Sequence, residues 1–396
     1  MSSGEPGRGR GSSGPRPGLL VAGLCVVIAS MATGLASPAL PDIAASLHMS
    51  AAAAGLLVSA TSAPALLATP VAGVMIGRWG RRAVLVPALL VFAGGGLAAM
   101  LSPGYPALLA ARLVQGTATG VLLTLSLVLV ADWAAATSLP KALGRNGAVN
   151  MASLALLPLA GSVLTAAAGW RAAFAPCLLA IPLACVVALW LPDVRPAARG
   201  GASPVPPLPR PLRSHILRSG TAMAAALACL FGVSFTVLPL RLQEHFPSAE
   251  GLWGVLIGLP LAAAFVGALT AGRLLRRWQP WTLTAVGFAL FTAGFTVTAT
   301  TASVWLVAVA ALVYGSGFTL ISVSMQTLAA RLATEPYRTS LLANWGTVGR
   351  AGQAAGPAVA GLMVTQTGTG GTFLLGALLA AASAVGSTVL ARVDGS

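Results

Sequence analysis

Long apolar stretches recur from one end of the 396-residue chain to the other. About 20 consecutive apolar residues form a helix long enough to cross the hydrocarbon core of a bilayer. Twelve such stretches are found, at residues 19–40, 52–76, 83–101, 107–131, 144–167, 172–191, 219–240, 252–272, 282–300, 304–329, 340–365 and 372–391. We therefore expect an all-α integral membrane protein with twelve transmembrane helices. This excludes a soluble enzyme, a secreted disulfide scaffold and a disordered chain.

The charged residues fit a membrane protein and not a nucleic-acid-binding one. Only 8% of the residues are charged, whereas a soluble domain carries about a quarter. The net charge of +15 arises mainly from arginines between the apolar stretches. With the N-terminus inside, 19 of the 23 basic residues fall on the inner side. Because basic residues concentrate in cytoplasmic loops, we expect a multi-pass protein of the plasma membrane with both termini cytoplasmic and no nucleic-acid partner.

The polar segments divide the chain into two halves. Residues 1–17 are rich in Gly, Ser and Arg and are predicted to form a disordered cytoplasmic tail. Residues 192–214 contain seven prolines, which favour an extended, solvated chain, so this segment is predicted to be a cytoplasmic linker. The linker separates an N-terminal six-helix half, residues 18–191, from a C-terminal six-helix half, residues 215–396.

The two halves resemble each other in sequence. The arginines after the second and eighth apolar stretches match at an offset of 195, as in Arg78 and Arg273. Pro158 and Pro357 match at an offset of 199. Two pseudo-symmetric six-helix halves with a substrate site between them are a known transporter plan.

Several motifs extend this interpretation to a family. Residues 73–82 resemble the G-x-x-x-D-R-x-G-R-R signature of the major facilitator superfamily through Gly73, Arg78, Gly80, Arg81 and Arg82, although Gly77 occupies the acidic position. Arg112, Gln115 and Gly116 are similar to that family's R-x-x-Q-G element. Gly352, Gly356, Pro357 and Gly361 are similar to a motif of its drug/proton exporters. The resemblance covers nearly the whole chain and implies that family's fold, a small-molecule substrate, alternating access and proton coupling.

The basic loop after the second helix has two interpretations. It anchors the chain at the cytoplasmic surface, or it forms a gating latch. In the second interpretation Asp132 pairs with Arg78 or Arg82, and the pair breaks when the inner mouth opens. The Gly and Pro residues of the fifth and eleventh helices likewise serve helix packing or a specific antiport role; they are Pro158, Gly161, Gly352, Gly356, Pro357 and Gly361.

Two arginines lie inside predicted spans and away from the first residues of those spans. Arg112 and Arg350 each cost about 2.5–3.5 kcal/mol on insertion scales, so each is expected to face a polar interior unless it snorkels to a membrane surface. We expect both at a central substrate site, with Gln115 and Gln353 near them. Further polar candidates for this site, or for bonds between helices, are Asn150, Gln326 and Asn344.

The acidic residues bear on the driving force. None of the eight lies in the middle of a span, and Asp42, at the outer end of the first, is the nearest candidate proton carrier. The sequence contains neither a Walker motif nor a metal-ligand or cofactor pattern, so no cofactor and no enzyme activity are expected.

The function predicted is secondary transport of a small organic molecule, as an efflux permease coupled to protons. The alternative is uptake or exchange of an organic anion, favoured by the two arginines. A third interpretation is a transporter-like receptor, against which the short extramembrane segments count. The architecture works as a monomer within the lipid bilayer and needs no partner chain.

Overall fold

The computed structural model describes residues 17–134, 138–191, 209–332 and 337–393. The predicted tail before residue 17, and residues 192–208 of the predicted linker, lie outside this part of the chain. Helix begins again at Arg210, inside the predicted linker.

The described residues form twelve long helical segments, numbered here in chain order. The first half contains α1 (Pro17–Gly34 and Ala36–Ser46), α2 (Ala51–Trp79), α3 (Arg81–Met100), α4 (Tyr105–Trp133), α5 (Leu139–Ala168) and α6 (Trp170–Leu179 and Ala180–Trp190). The second half contains α7 (Arg210–Ala228, Cys229–Val237 and Leu238–His245), α8 (Trp253–Leu274), α9 (Pro280–Thr300), α10 (Val304–Leu332), α11 (338–367) and α12 (369–393).

The last helical stretch, Arg338–Val393, divides at Gly368 into two helices, α11 and α12, that run in opposite directions. This glycine has φ 70° and ψ 178°, which are not helical. Gly356 and Gly376 both pack against the same turn of α7. A Cβ on Gly232 would lie 2.6 Å from the Gly356 oxygen, and a Cβ on Gly376 would lie 3.1 Å from Val233. A straight helix would separate residues 356 and 376 by about 30 Å. The prediction of twelve spans is therefore confirmed for the described chain.

The turn at Gly368 also extends the internal repeat. Gly169, between α5 and α6, has φ 77° and ψ 169°, nearly the same conformation. The two glycines are 199 residues apart (368 − 169), the offset that also relates Pro158 to Pro357. Each joins the last two helices of its half, as expected for pseudo-symmetric halves.

Each half has a hydrophobic core of its own kind. The N-terminal core is mainly aliphatic, built on residues such as Leu85, Leu122 and Leu125. The C-terminal core is aromatic: the ring of Phe295 lies 5.0 Å from that of Tyr314 and 5.4 Å from that of Phe373. These rings join α9, α10 and α12. Each half therefore packs as a unit around its own interior.

The halves touch each other on one side of the molecule. We call the side that contains residues 17 and 393 the terminal face, and the other side the opposite face. Near the opposite face, a Cβ on Gly361 of α11 would lie 2.5 Å from the Ala51 oxygen of α2. A Cβ on Gly254 of α8 would lie 2.6 Å from the Pro158 oxygen of α5. The helix pairs α2–α11 and α5–α8 thus close this face by near backbone contact.

The same helices separate toward the terminal face. Gly73 and Gly77 of α2, and Gly144 and Gly147 of α5, have no atom within 4 Å of an added Cβ. Glycines that would permit close packing therefore face open space on this side. The space between the halves opens to the terminal face and is closed at the opposite face.

Candidate functional site

A cavity of about 290 Å³ lies between the two halves. It is lined from the first half by α1, α2, α4 and α5, and from the second by α7, α8, α10 and α11. Its apolar walls include Met151, Phe231 and Phe318. Ligand pockets have volumes of about 300–1,000 Å³, so this space is at the lower end of that range and suits a small organic molecule.

Arg350 is the charged residue of this cavity. It is half-buried on α11, and Gln353 lines the cavity one helical turn away. Within the described residues its guanidinium makes neither a hydrogen bond nor an ion pair, and the residues that line the cavity include no Asp or Glu. A half-buried guanidinium without a counter-charge attracts a carboxylate or another acceptor-rich group. Arg350 and Gln353, both predicted site residues, thus line the same cavity.

Two asparagines of α5 face the cavity from the other half. Asn150 accepts a hydrogen bond from Ser30 of α1, with 3.0 Å between Oγ and Oδ1. Asn146 donates from Nδ2 to Ser126 Oγ of α4 over 3.1 Å. Asn150 was among the predicted candidates and Asn146 was not. A spacing of four residues places both on one face of a helix, which is the signal that identifies Asn146.

Arg112 lies elsewhere, inside the N-terminal half. It is 2% exposed; Nη1 donates to Gln115 Oε1 over 2.6 Å, and Nη2 donates to the carbonyl oxygen of Ala32. Its guanidinium also lies 5.5 Å from the ring centroid of Phe174 on α6, and Gln115 Nε2 lies 3.3 Å from Cys177 Sγ. Arg112 and Gln115 do not line the cavity, so the expectation that they face it does not match this placement. They are enclosed because α1 and α6 cover this part of α4.

The remaining polar candidates are dispersed. Gln326 on α10 and Asn344 on α11 are exposed and lie outside the cavity lining. Asp42 is partly buried near the opposite-face end of α1, away from the cavity. The structure therefore brings together Asn150, Arg350 and Gln353 and leaves these three residues apart from them.

The basic loop between α2 and α3 pairs with α4 through Arg81. Its Nε and Nη2 donate to Asp132 Oδ2 and Oδ1 over 2.6 and 2.9 Å, a bidentate ion pair. The expected partners Arg78 and Arg82 are not the ones in this pair. The helix α3 begins at Arg81, directly after the turn at Gly80, and this turn directs Arg81 toward the end of α4.

The ion pair does not bridge the halves. Arg81 and Asp132 both belong to the N-terminal half, and the pair is intact while the cavity is open to the terminal face. It therefore need not break for this mouth to open, contrary to the expected latch. Gly73 and Gly77, on the preceding helix, face open space.

The Gly and Pro residues of α5 and α11 lie at helix contacts. Gly352 and Gly356 meet α7, where a Cβ on Gly356 would lie 2.7 Å from the Ala228 Cα. Pro357 and Gly361 meet α2 around Gly55. On α5, Gly161 meets α1, with an added Cβ 2.5 Å from the Leu35 oxygen, and Pro158 meets α8 at Gly254. Packing is the contribution of these residues that the geometry supports.

A cavity between two six-helix halves, open to one face and closed at the other, defines a secondary membrane transporter. The family model described as "Major Facilitator Superfamily" matches residues 22–340. The chain belongs to that superfamily.

Three known proteins illustrate its similarities. The "Chloramphenicol resistance protein" of Streptomyces lividans is 29% identical over 357 residues, which cover 87% of this chain and 88% of that protein. The "3-(3-hydroxy-phenyl)propionate transporter" of Escherichia coli (strain K12) is 27% identical, covering 89% of each chain. The inward open conformation of the xylose transporter XylE from E. coli has a TM-score of 0.74 at 13% identity, covering 93% of this chain and 95% of that one. The last of these is a similarity of fold alone.

Proposed function

We propose that this transporter exports a small neutral or anionic organic molecule by alternating access between the two halves. The observation that carries the proposal is the cavity itself: apolar walls, amides on one side, and Arg350 without a counter-charge on the other. An organic cation would meet like charge there, because Arg350 is the cavity's ionisable residue among those described. A solute with apolar rings and a carbonyl, nitro or carboxylate group fits this combination.

The proposed direction rests on orientation and on a relative. If the basic residues mark the cytoplasm, then the terminal face is cytoplasmic and the open cavity receives solute from inside the cell. The similarity to a chloramphenicol resistance protein over 87% of the chain favours export of a drug-like solute. Coupling to protons is part of the proposal by family resemblance, and Asp42 is its candidate carrier although it lies outside the cavity lining.

A second candidate function is uptake or exchange of an organic anion. Arg350 favours it, as does the similarity to a transporter whose name gives a hydroxyphenylpropionate as its solute. The two candidates share the cavity and differ in direction and driving force.

The test is solute flux in proteoliposomes with labelled cationic, neutral and anionic compounds, each with and without an imposed pH gradient. We expect flux of chloramphenicol or 3-phenylpropionate, strongly reduced in Arg350→Gln and partly retained in Arg350→Lys, because lysine keeps the charge but not the planar fork. Arg392→Gln, at an exposed arginine of the terminal face, is the matched control and should leave flux unchanged. Flux of organic cations that is indifferent to Arg350→Gln would contradict the proposal. Accumulation driven by protons favours the exporter, and gradient-independent exchange of the anion favours the second candidate.

A further inference from the structure

A second recess lies on the periphery of the N-terminal half, between α1 and α5. It encloses about 350 Å³, and eight of its ten lining residues are apolar. The apolar residues are Leu19, Leu20, Gly23, Leu24, Val27, Val130, Ala142 and Val149. We call it the α1–α5 groove.

The groove adjoins the transport cavity, since Asn146 lines both, but on α1 the two spaces have no lining residue in common. On α1 the cavity is lined by Val26, Ala29 and Ser30, whereas the groove is lined by Leu20, Leu24 and Val27. With 100° between successive residues, these two sets occupy different faces of the helix. The groove therefore faces outward from the α1–α5 pair, and Leu20 and Leu24 remain 61% and 40% exposed.

One charged residue, Arg145 of α5, lines the groove about two turns from the terminal-face end of its helix, and Ala142 lines it nearer that face. Because helix side chains tilt toward the helix N-terminus, the Arg145 side chain leans toward the terminal face. Its side chain is exposed and has neither a hydrogen bond nor an ion pair within the part of the chain that the structure describes. The ring of Trp133 covers Gly18 at the terminal-face end of the groove, one helical turn beyond Val130. A cation and an indole beside an apolar recess are typical of the boundary between headgroups and acyl chains.

The length of the groove fits one leaflet. Its residues on α1 run from Leu19 to Val27, which span about 12 Å along the helix. Half of a hydrocarbon core of about 30 Å is about 15 Å. The space along Gly23 is open, since no atom lies within 4 Å of a Cβ added there.

We propose that the α1–α5 groove is a binding site for one anionic phospholipid of the leaflet at the terminal face. The acyl chain lies along Gly23, Leu24 and Val27, and the headgroup phosphate pairs with Arg145. The apolar lining selects a chain, and the uncompensated guanidinium selects a negative headgroup over a zwitterionic one, whose ammonium would meet the same cation. This site does not depend on the proposed transport function, because neither Arg145 nor the residues along the acyl chain line the cavity.

The test measures lipid retained by the purified full-length protein. Protein in detergent is incubated with equal amounts of phosphatidylglycerol and phosphatidylcholine of the same chain length, washed, and analysed by native mass spectrometry. We expect the wild type to retain one phosphatidylglycerol in preference to phosphatidylcholine. Arg145→Gln should abolish that preference, and Gly23→Phe should abolish retention of both lipids by filling the groove.

Arg218→Gln is the matched control. Arg218 is also an exposed arginine about two turns from the terminal-face end of its helix, but it does not line the groove. If Arg145→Gln and Arg218→Gln lose the preference for phosphatidylglycerol equally, the preference arises from general surface charge and the proposal is overturned. Unchanged retention in Gly23→Phe would overturn it as well. Inorganic phosphate in the wash distinguishes a headgroup from a free anion: it should not displace the lipid, because it lacks the chain.

Discussion

Adding a single methyl group at the contact between α2 and α11 should shift the transporter from one of its states to the other. A Cβ on Gly55 would overlap the Pro357 oxygen and lie 2.9 Å from the Gly361 Cα, closer than side-chain atoms normally approach. Gly55→Ala therefore penalises the state in which the opposite face is closed. The gain in helix propensity from alanine is the same in both states, since residue 55 is helical in each, so it cancels.

The size of the shift follows from the cost of overpacking. Inserting a methyl into a tight contact costs about 1–3 kcal/mol. A penalty of that size on one state changes the ratio of the two states by about 5- to 150-fold. Gly73, on the same helix, lies 18 residues or five full turns from Gly55 and so shares its face, but it meets open space here. Gly73→Ala should therefore act in the opposite sense, by obstructing closure at the terminal face.

The assay is a distance measurement between spin labels at Leu143→Cys on α5 and Val266→Cys on α8, in a background without the four native cysteines. Leu143 lines the cavity, and Val266 is 61% exposed on the terminal-face half of α8. Gly55→Ala should shift the distribution toward shorter distances as that mouth closes, and Gly73→Ala should hold the longer ones. Gly94→Ala, on α3 with no atom within 4 Å of the added Cβ, is the control and should change nothing. An unchanged or longer distribution in Gly55→Ala would refute the reasoning.

Three further predictions follow from the geometry of the N-terminal half and its repeat. Arg81→Gln breaks a bidentate pair whose side chains are only 13% and 28% exposed, so stability in a thermal melt should fall by about 1–3 kcal/mol. Flux should stay measurable, since Asp132 belongs to the same half. Loss of flux, with rescue by a charge-swapped pair, would support the latch instead. Arg112→Leu should destabilise the protein by about 1–3 kcal/mol for each buried acceptor left without its donor, with solute affinity unchanged in the folded fraction. Unchanged stability with lost affinity would place Arg112 in substrate binding. Gly169→Ala and Gly368→Ala should each cost about 1–2 kcal/mol in the same melt, because both need positive φ; a stabilising effect at either position would contradict the turn geometry.

The sequence predicts the architecture well because the bilayer imposes strong constraints on length and polarity. The twelve spans, the repeat and the family all follow from apolar runs, spaced arginines and motifs. The equivalence of Gly169 and Gly368 was also available at the repeat offset of 199, but positive φ is not visible in a helical-looking apolar run.

The facing of individual side chains is harder to predict, as Arg112 illustrates. It lies two turns from Thr119, which lines the cavity, and therefore on the same stripe of α4. Burial of this stripe depends on the level at which α1 crosses α4, a property of packing between helices that are distant in sequence. Similarly, the spacing of Arg78, Arg81 and Arg82 could not identify the partner of Asp132, because the choice depends on the turn at Gly80.

The central claim, that solute passes only when the halves separate at the opposite face, has a direct test. The backbone N–H of Ala358 on α11 donates to Ser59 Oγ on α2 over 2.9 Å, so these positions are adjacent in the closed contact. In the cysteine-free background, Ser59→Cys with Ala358→Cys should form a disulfide on oxidation, and flux of the solute found in the proteoliposome panel should then be measured. The account predicts that flux stops when the cross-link forms and returns on reduction, while each single variant is indifferent to oxidation. Flux at the full rate with the cross-link complete would contradict it.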